Sequence, residues 1–92
     1  VFSVGGGSKE KNISDNLVNC VSLANEKGAS VMGVVGRDGG YTKESSDLTI
    51  VVPTIDDGLV TPHTEGWQAV VWHLLISHPK VCVNETKWES TK

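Results

Sequence analysis

Apolar residues along the chain switch between two spacings, and the switches mark the predicted elements. Short apolar runs over residues 1–4, 30–35 and 48–52 predict three strands. The middle run is nearly continuous, which is typical of a parallel strand covered on both faces. Between the first two runs, apolar residues recur at helical spacing, with Asn12 as the predicted N-cap and Gly28 as the C-cap glycine.

Two further helices are predicted, a short one over residues 41–46 and a long one over residues 62–77. Thr61 is the predicted N-cap of the long helix, and Pro79 ends it. Because the long helix is apolar nearly all round, we expect it to be buried on every face, against another subunit or a segment outside this chain. Strands alternating with helices predict an α/β fold, a doubly wound parallel sheet between two helical layers, with ligands at the carboxyl ends of the strands.

Composition narrows the function classes. The 92 residues carry a net charge of −3, so a DNA or RNA partner has no electrostatic support. The sequence has neither a bilayer-length apolar run nor a secretory leader, and Cys20 and Cys82 are interpreted as reduced thiols, so we predict a cytoplasmic protein without a membrane partner. A strand at Val1 without a start methionine indicates a segment upstream.

The first candidate site is the stretch Ser-Val-Gly-Gly-Gly-Ser, named here the Ser/Gly loop (residues 3–8), between a strand and a helix. Backbone amides at such a place bind anions, and glycines let a phosphate approach closely. The predicted phosphate-binding residues are Ser3, Gly5, Gly6, Gly7 and Ser8. The lysine of a P-loop and the dinucleotide fingerprint are both absent. A flexible turn without a ligand is the alternative.

The second candidate site lies on the long helix, where Glu65 and His73 are ionisable. Their separation corresponds to roughly 12 Å of helical rise, so they share one ligand only if it lies between them. The alternative is a glutamate favoured by the helix dipole and a histidine satisfied in the core. His63 and His78, at the helix ends, are predicted to be exposed.

Four motifs, at residues 3–8, 35–40, 46–53 and 65–73, resemble in order and spacing the sugar isomerase (SIS) domain, and within it the phosphoheptose isomerase branch. The resemblance covers residues 1–79. It implies the flavodoxin-like SIS fold, of which residues 1–79 are the C-terminal half and residues 80–92 a tail.

That resemblance implies a ketose–aldose isomerase of a seven-carbon sugar phosphate, forming a homodimer or homotetramer. His73 is then the general acid/base, and Glu65 a second such group or, with His73, a ligand of the zinc found in some members. Val4, Gly5 and Gly7 depart from the family's Thr, Ser and Asn. Glu65 occupies the position of the family's glutamine, and Gln68 occupies the position of the family's first histidine on this helix.

Two other hypotheses stay open, and the altered serine loop favours the first of them. One is a non-catalytic SIS-type module that binds a sugar phosphate or a protein for regulation. The other is a nucleotide-binding fragment of a different doubly wound fold, which the absent lysine and absent fingerprint disfavour.

Overall fold

The sheet has three parallel strands that lie side by side in chain order, and each strand is followed by a helix. The structure, a computed structural model, describes residues 1–84, so most of the predicted tail lies outside the described residues. The elements are β1 (Phe2–Ser3), α1 (Asp15–Glu26), β2 (Met32–Val35), α2 (Gly40–Ser45), β3 (Leu48–Val51) and α3 (Val60–Ser77). A 3-10 turn, Asp57–Leu59, leads into α3.

Helices cover both faces of the sheet. Phe2 pairs with Val34, so these side chains share a face, and the Phe2 ring packs edge-on against Trp72 of α3 at 5.6 Å between centroids. Gly33, which precedes Val34 in β2, faces the opposite side of the sheet. A methyl group built on Gly33 would lie 2.5 Å from Cγ2 of Thr42 in α2. The predicted α/β architecture, a parallel sheet between helical layers, is confirmed.

The core of the described residues is small and made of one residue type. All six buried apolar side chains are valines: Val18, Val21, Val31, Val34, Val35 and Val52. β-branched side chains pack well on a pleated surface and lose little rotamer freedom there. Three buried polar side chains, Thr42, Thr64 and Gln68, complete the interior. These three lie near the carboxyl ends of the strands and shape the candidate site.

The end of α1 is as predicted and its start is not. Gly28 adopts φ 73, and the amides of Gly28 and Ala29 donate to Asn25 O and Ala24 O, the two bonds of a Schellman cap. The predicted N-cap at Asn12 is wrong, because the helix begins only at Asp15. A backbone bridge between residues 8 and 13 encloses a turn that contains Asn12, whose φ of 51 is left-handed rather than that of an N-cap.

Helix α3 leaves much of its apolar surface exposed within this chain. The helix buries two polar residues, Thr64 and Gln68, while Trp67 and Leu74 are 56% and 63% exposed. The expected cover of this helix by another subunit or by a segment outside this chain stays a prediction. Thr61 is not the N-cap, because the 3-10 turn has already made the chain helical by Val60. None of the helices in residues 1–84 has the length and apolar character needed to cross a membrane.

Candidate functional site

The Ser/Gly loop leaves the carboxyl end of β1 in a tight, internally bonded conformation. Gly6 and Gly7 have φ values of 71 and 76, which side chains rarely adopt. The Gly6 amide donates to Ser3 Oγ at 3.0 Å, and the Ser8 amide donates to Ile13 O at 2.9 Å. Hydrogen bonds of both of its serines therefore hold the loop in this conformation.

A second loop, named here the glycine turn (residues 36–40), follows β2 and packs directly on the first. A side chain at Gly6 would overlap the Gly39 carbonyl, and one at Gly40 would overlap the carbonyls of Gly5 and Gly7. The backbones can approach this closely only because these positions carry no side chains. Helix α2 begins at Gly40, the last residue of the glycine turn.

Residues at the start of α2 fasten the two loops together. The Tyr41 amide donates to Gly7 O at 2.8 Å, and the Thr42 amide donates to Gly6 O at 2.9 Å. Oγ1 of Thr42, whose side chain is fully buried, donates to the same Gly6 oxygen at 2.9 Å. The carbonyl oxygens of the loop thus point towards α2. Within residues 1–84, the amides of Gly5 and Gly7 have no protein acceptor. Backbone amides without a protein acceptor, in a loop that also carries two serine hydroxyls, can bind an anion.

A group of polar residues beside the loop was missed by the sequence reasoning. Lys9 Nζ lies 4.6 Å from the centroid of the Tyr41 ring, and Tyr41 Oη lies 2.9 Å from Ser22 Oγ. The Ser22 hydroxyl, then Ser45 and the Lys9 ammonium, stabilise the phenolate and lower the pKa of Tyr41 to about 8. Lys9 directly follows the Ser/Gly loop, but nothing in the sequence pairs it with a tyrosine so far along the chain.

Helix α3 reaches the same region through its two buried polar residues. Nε2 of Gln68 donates to Ser3 O at 3.2 Å and to Val34 O at 2.8 Å, which ties β1 to β2 beneath the Ser/Gly loop. Thr64 packs against Gly36, where any side chain would overlap its hydroxyl. Both amide hydrogens of Gln68 are therefore used by backbone carbonyls and are not available to a ligand.

The contacts of α3 also fix its direction and the positions of the predicted acid/base residues. Thr64 contacts Gly36, just beyond β2, whereas Trp72, two turns later, contacts Phe2 at the start of β1. The helix therefore runs antiparallel to the strands. Glu65 lies near their carboxyl ends and His73 towards their amino ends, both exposed. The structure does not bring Glu65 and His73 together, and their roles remain predictions.

The chain is similar in sequence to several bacterial phosphoheptose isomerases. The phosphoheptose isomerase of Pelobacter propionicus is 36% identical to the chain over 62 residues, 67% of this chain and 31% of that protein. The phosphoheptose isomerase of Rhodospirillum rubrum is 39% identical over the same shares. The chain is a relative of the phosphoheptose isomerases. The lincomycin biosynthesis protein LmbN of Streptomyces lincolnensis is also similar, 39% identical over 74 residues, 80% of this chain and 27% of that protein.

The resemblance to phosphoheptose isomerases that the motifs predicted is thereby confirmed. The chain spans about a third of the length of these relatives. No family model matches the chain, and no solved structure matches it significantly.

A zinc ion was implied by the resemblance to phosphoheptose isomerases, and the described residues do not fit one by themselves. Glu65 and His73 are separated by roughly 12 Å of helical rise, far more than two ligands of one ion allow. Gln68 lies between them in sequence, but its amide nitrogen is bonded to Ser3 O and Val34 O. Residues 1–84 contain no cluster of three or more His, Cys, Asp or Glu that could hold a metal. The proposed chemistry therefore assigns no step to a metal.

Proposed function

We propose that the protein is a phosphosugar isomerase that interconverts a ketose and an aldose, of the type that takes sedoheptulose 7-phosphate to a heptose 7-phosphate. The proposal rests mainly on the Ser/Gly loop, which offers the amides of Gly5 and Gly7 and the hydroxyls of Ser3 and Ser8 at the carboxyl edge of the sheet. The predicted contact of Gly6 with the phosphate stays a prediction, because the space left by its missing side chain is filled by the Gly39 carbonyl. The similarity to phosphoheptose isomerases supports a sugar phosphate as the ligand.

The proposed reaction is a proton transfer within one molecule. A base removes a proton from C1 of the ketose and a proton returns to C2, while the hydroxyl proton moves from O1 to O2. No external oxidant or reductant is needed. His73 is the proposed general acid/base, because a histidine side chain can both accept and donate a proton. Glu65 is the proposed second acid/base group.

His73 lies towards the amino ends of the strands, away from the Ser/Gly loop of its own chain. We therefore propose that His73 acts on a sugar whose phosphate is bound by a neighbouring subunit, in a homodimer or homotetramer. Mixing inactive His73→Ala and Ser3→Ala proteins tests this arrangement. If random dimers share sites, about a quarter of the activity returns, because half the dimers carry one intact site. No recovery in subunits shown to exchange would contradict a shared site.

A second candidate function is a non-catalytic SIS-type module that binds a sugar phosphate or regulates a partner. Two observations favour it. The loop has only two hydroxyls, with Val4, Gly5 and Gly7 replacing side chains of the family pattern. Gln68, at the position of a family histidine, is used to hold two strands together.

An NMR time course with sedoheptulose 7-phosphate separates the two functions. Formation of an aldoheptose 7-phosphate supports the isomerase, and parallel runs with added zinc and with chelator test a metal requirement. His73→Ala should abolish turnover and retain sugar phosphate binding. If wild-type protein binds the sugar phosphate and leaves it unchanged, the catalytic proposal fails and the binding module stands.

A further inference from the structure

Arg37 occupies an unusual place in the glycine turn. Its φ is 52, in the left-handed region that residues with side chains rarely adopt. The turn is well anchored, because the Gly36 amide donates to Val4 O at 2.9 Å and the Gly39 amide donates to Gly36 O at 3.0 Å. Arg37 is therefore held in place on a turn that is bonded to the Ser/Gly loop.

The side chain of Arg37 reaches from the glycine turn to the Ser/Gly loop. A methyl group built on Gly5 would lie 3.7 Å from Cδ and 3.9 Å from Nε of Arg37. The guanidinium group thus begins beside the backbone of Gly5, a loop residue whose amide has no protein acceptor within residues 1–84. Arg37 is also exposed, so a ligand can reach it.

The loop needs a positive charge to bind a phosphate dianion well. The hydroxyl oxygens of Ser3 and Ser8 already accept from the amides of Gly6 and Lys11, although each can still donate its own hydrogen. Two hydroxyls and two amides leave the charge of the ligand uncompensated. A guanidinium is planar, always charged and matched to phosphate oxygens, so it is well suited to this task.

We propose that Arg37 binds the phosphate group of a phosphate monoester held in the Ser/Gly loop. This inference rests on the proposed function and adds the cation that the Ser/Gly loop lacks. Lys9, which directly follows the Ser/Gly loop, is another candidate cation, but its ammonium lies over the Tyr41 ring. The left-handed conformation of Arg37 is unfavourable for a residue with a side chain. On this proposal, it is retained because it directs the guanidinium from the glycine turn towards the Ser/Gly loop.

The test compares dissociation constants for sedoheptulose 7-phosphate and for inorganic phosphate, measured by calorimetry on the wild type and on variants. Arg37→Gly and Arg37→Gln should weaken binding of both probes by about 10- to 100-fold, as expected for a lost charge-assisted hydrogen bond. Arg37→Lys should recover part of the loss. Lys27→Gln removes the same charge at the far end of α1 and should change neither constant.

A second readout separates binding from support of the fold. Glycine adopts a φ of 52 freely, so the melting temperature of ligand-free Arg37→Gly should equal or exceed that of the wild type. If Arg37→Gly and Arg37→Gln bind both probes as tightly as Lys27→Gln does, the assignment of Arg37 is overturned and the proposed function stands. If wild-type protein binds neither probe, the proposed function fails and this inference fails with it.

Discussion

Gly6→Ala tests the contact between the Ser/Gly loop and the glycine turn, and Gly28→Ala is its matched control. The two glycines have nearly the same backbone, φ 71 and φ 73. Their surroundings differ, because a methyl group on Gly6 would overlap the Gly39 carbonyl, whereas one on Gly28 would have no atom within 4 Å. The pair therefore separates the cost of backbone conformation from the cost of pushing the loops apart.

The magnitudes follow from these contacts. Each substitution forces alanine into the left-handed region, at about 1 kcal/mol. Gly6→Ala must also displace the glycine turn and weaken the hydrogen bonds from Thr42 N to Gly6 O and from Tyr41 N to Gly7 O. Each bond contributes about 1 kcal/mol net. We expect Gly6→Ala to lower the free energy of unfolding by about 3 kcal/mol and Gly28→Ala by about 1 kcal/mol.

The assay is chemical denaturation of wild type and both variants, followed by tryptophan fluorescence, with calorimetric binding of sedoheptulose 7-phosphate measured alongside. Gly28→Ala should bind the sugar phosphate as the wild type does, whereas Gly6→Ala should bind it much more weakly. Equal losses of unfolding free energy in the two variants would refute the close packing of the two loops.

Three further outcomes are expected from the same region. Thr42→Val keeps the shape of the side chain and loses its hydrogen bond to Gly6 O, so it should cost about 1 kcal/mol in denaturation experiments, and no loss would contradict that bond. Gln68→Glu replaces a donor with a carboxylate facing two carbonyl oxygens, and should cost about 2–4 kcal/mol at neutral pH, with Gln68→Met as the uncharged comparison. Tyr41 is the single tyrosine of the chain, so its ultraviolet titration should show a pKa of about 8 that Ser22→Ala raises. A titration of Tyr41 at its ordinary pKa would contradict the Ser22 contact. Because folding lowers the pKa of Tyr41, its ionisation should add to the free energy of unfolding as pH rises from about 8 towards 10.

Local signals predicted most of the fold. The three strands, the three helices and the glycine cap of α1 all follow from residues close together in sequence. The errors have a different origin. Asn12 is a good N-cap by residue type, but the bridge between Ser8 and Ile13 keeps the helix from starting before Asp15. An isolated bridge of this kind cannot be recognised from the spacing of apolar residues. The prediction of Thr61 as the N-cap of α3 failed because the preceding 3-10 turn leads into the helix at Val60, one residue earlier.

The candidate site was predictable only in part. The Ser/Gly loop was identified from its glycines and its place after a strand. Gln68 and Arg37 were not singled out as parts of that site, because their partners are distant in sequence: Gln68 bonds to Ser3 O, and Arg37 lies beside Gly5. A polar residue buried on an otherwise apolar helix becomes explicable only when the carbonyls that need a donor are known.

Phosphate binding by the Ser/Gly loop can be tested by titrating isotope-labelled protein and following its amide chemical shifts. The amides of Gly5 and Gly7 should shift on addition of sedoheptulose 7-phosphate and of inorganic phosphate, and should not shift with sedoheptulose lacking the phosphate. If the sugar phosphate shifts other amides while those of Gly5 and Gly7 stay unchanged, the Ser/Gly loop is not the phosphate site.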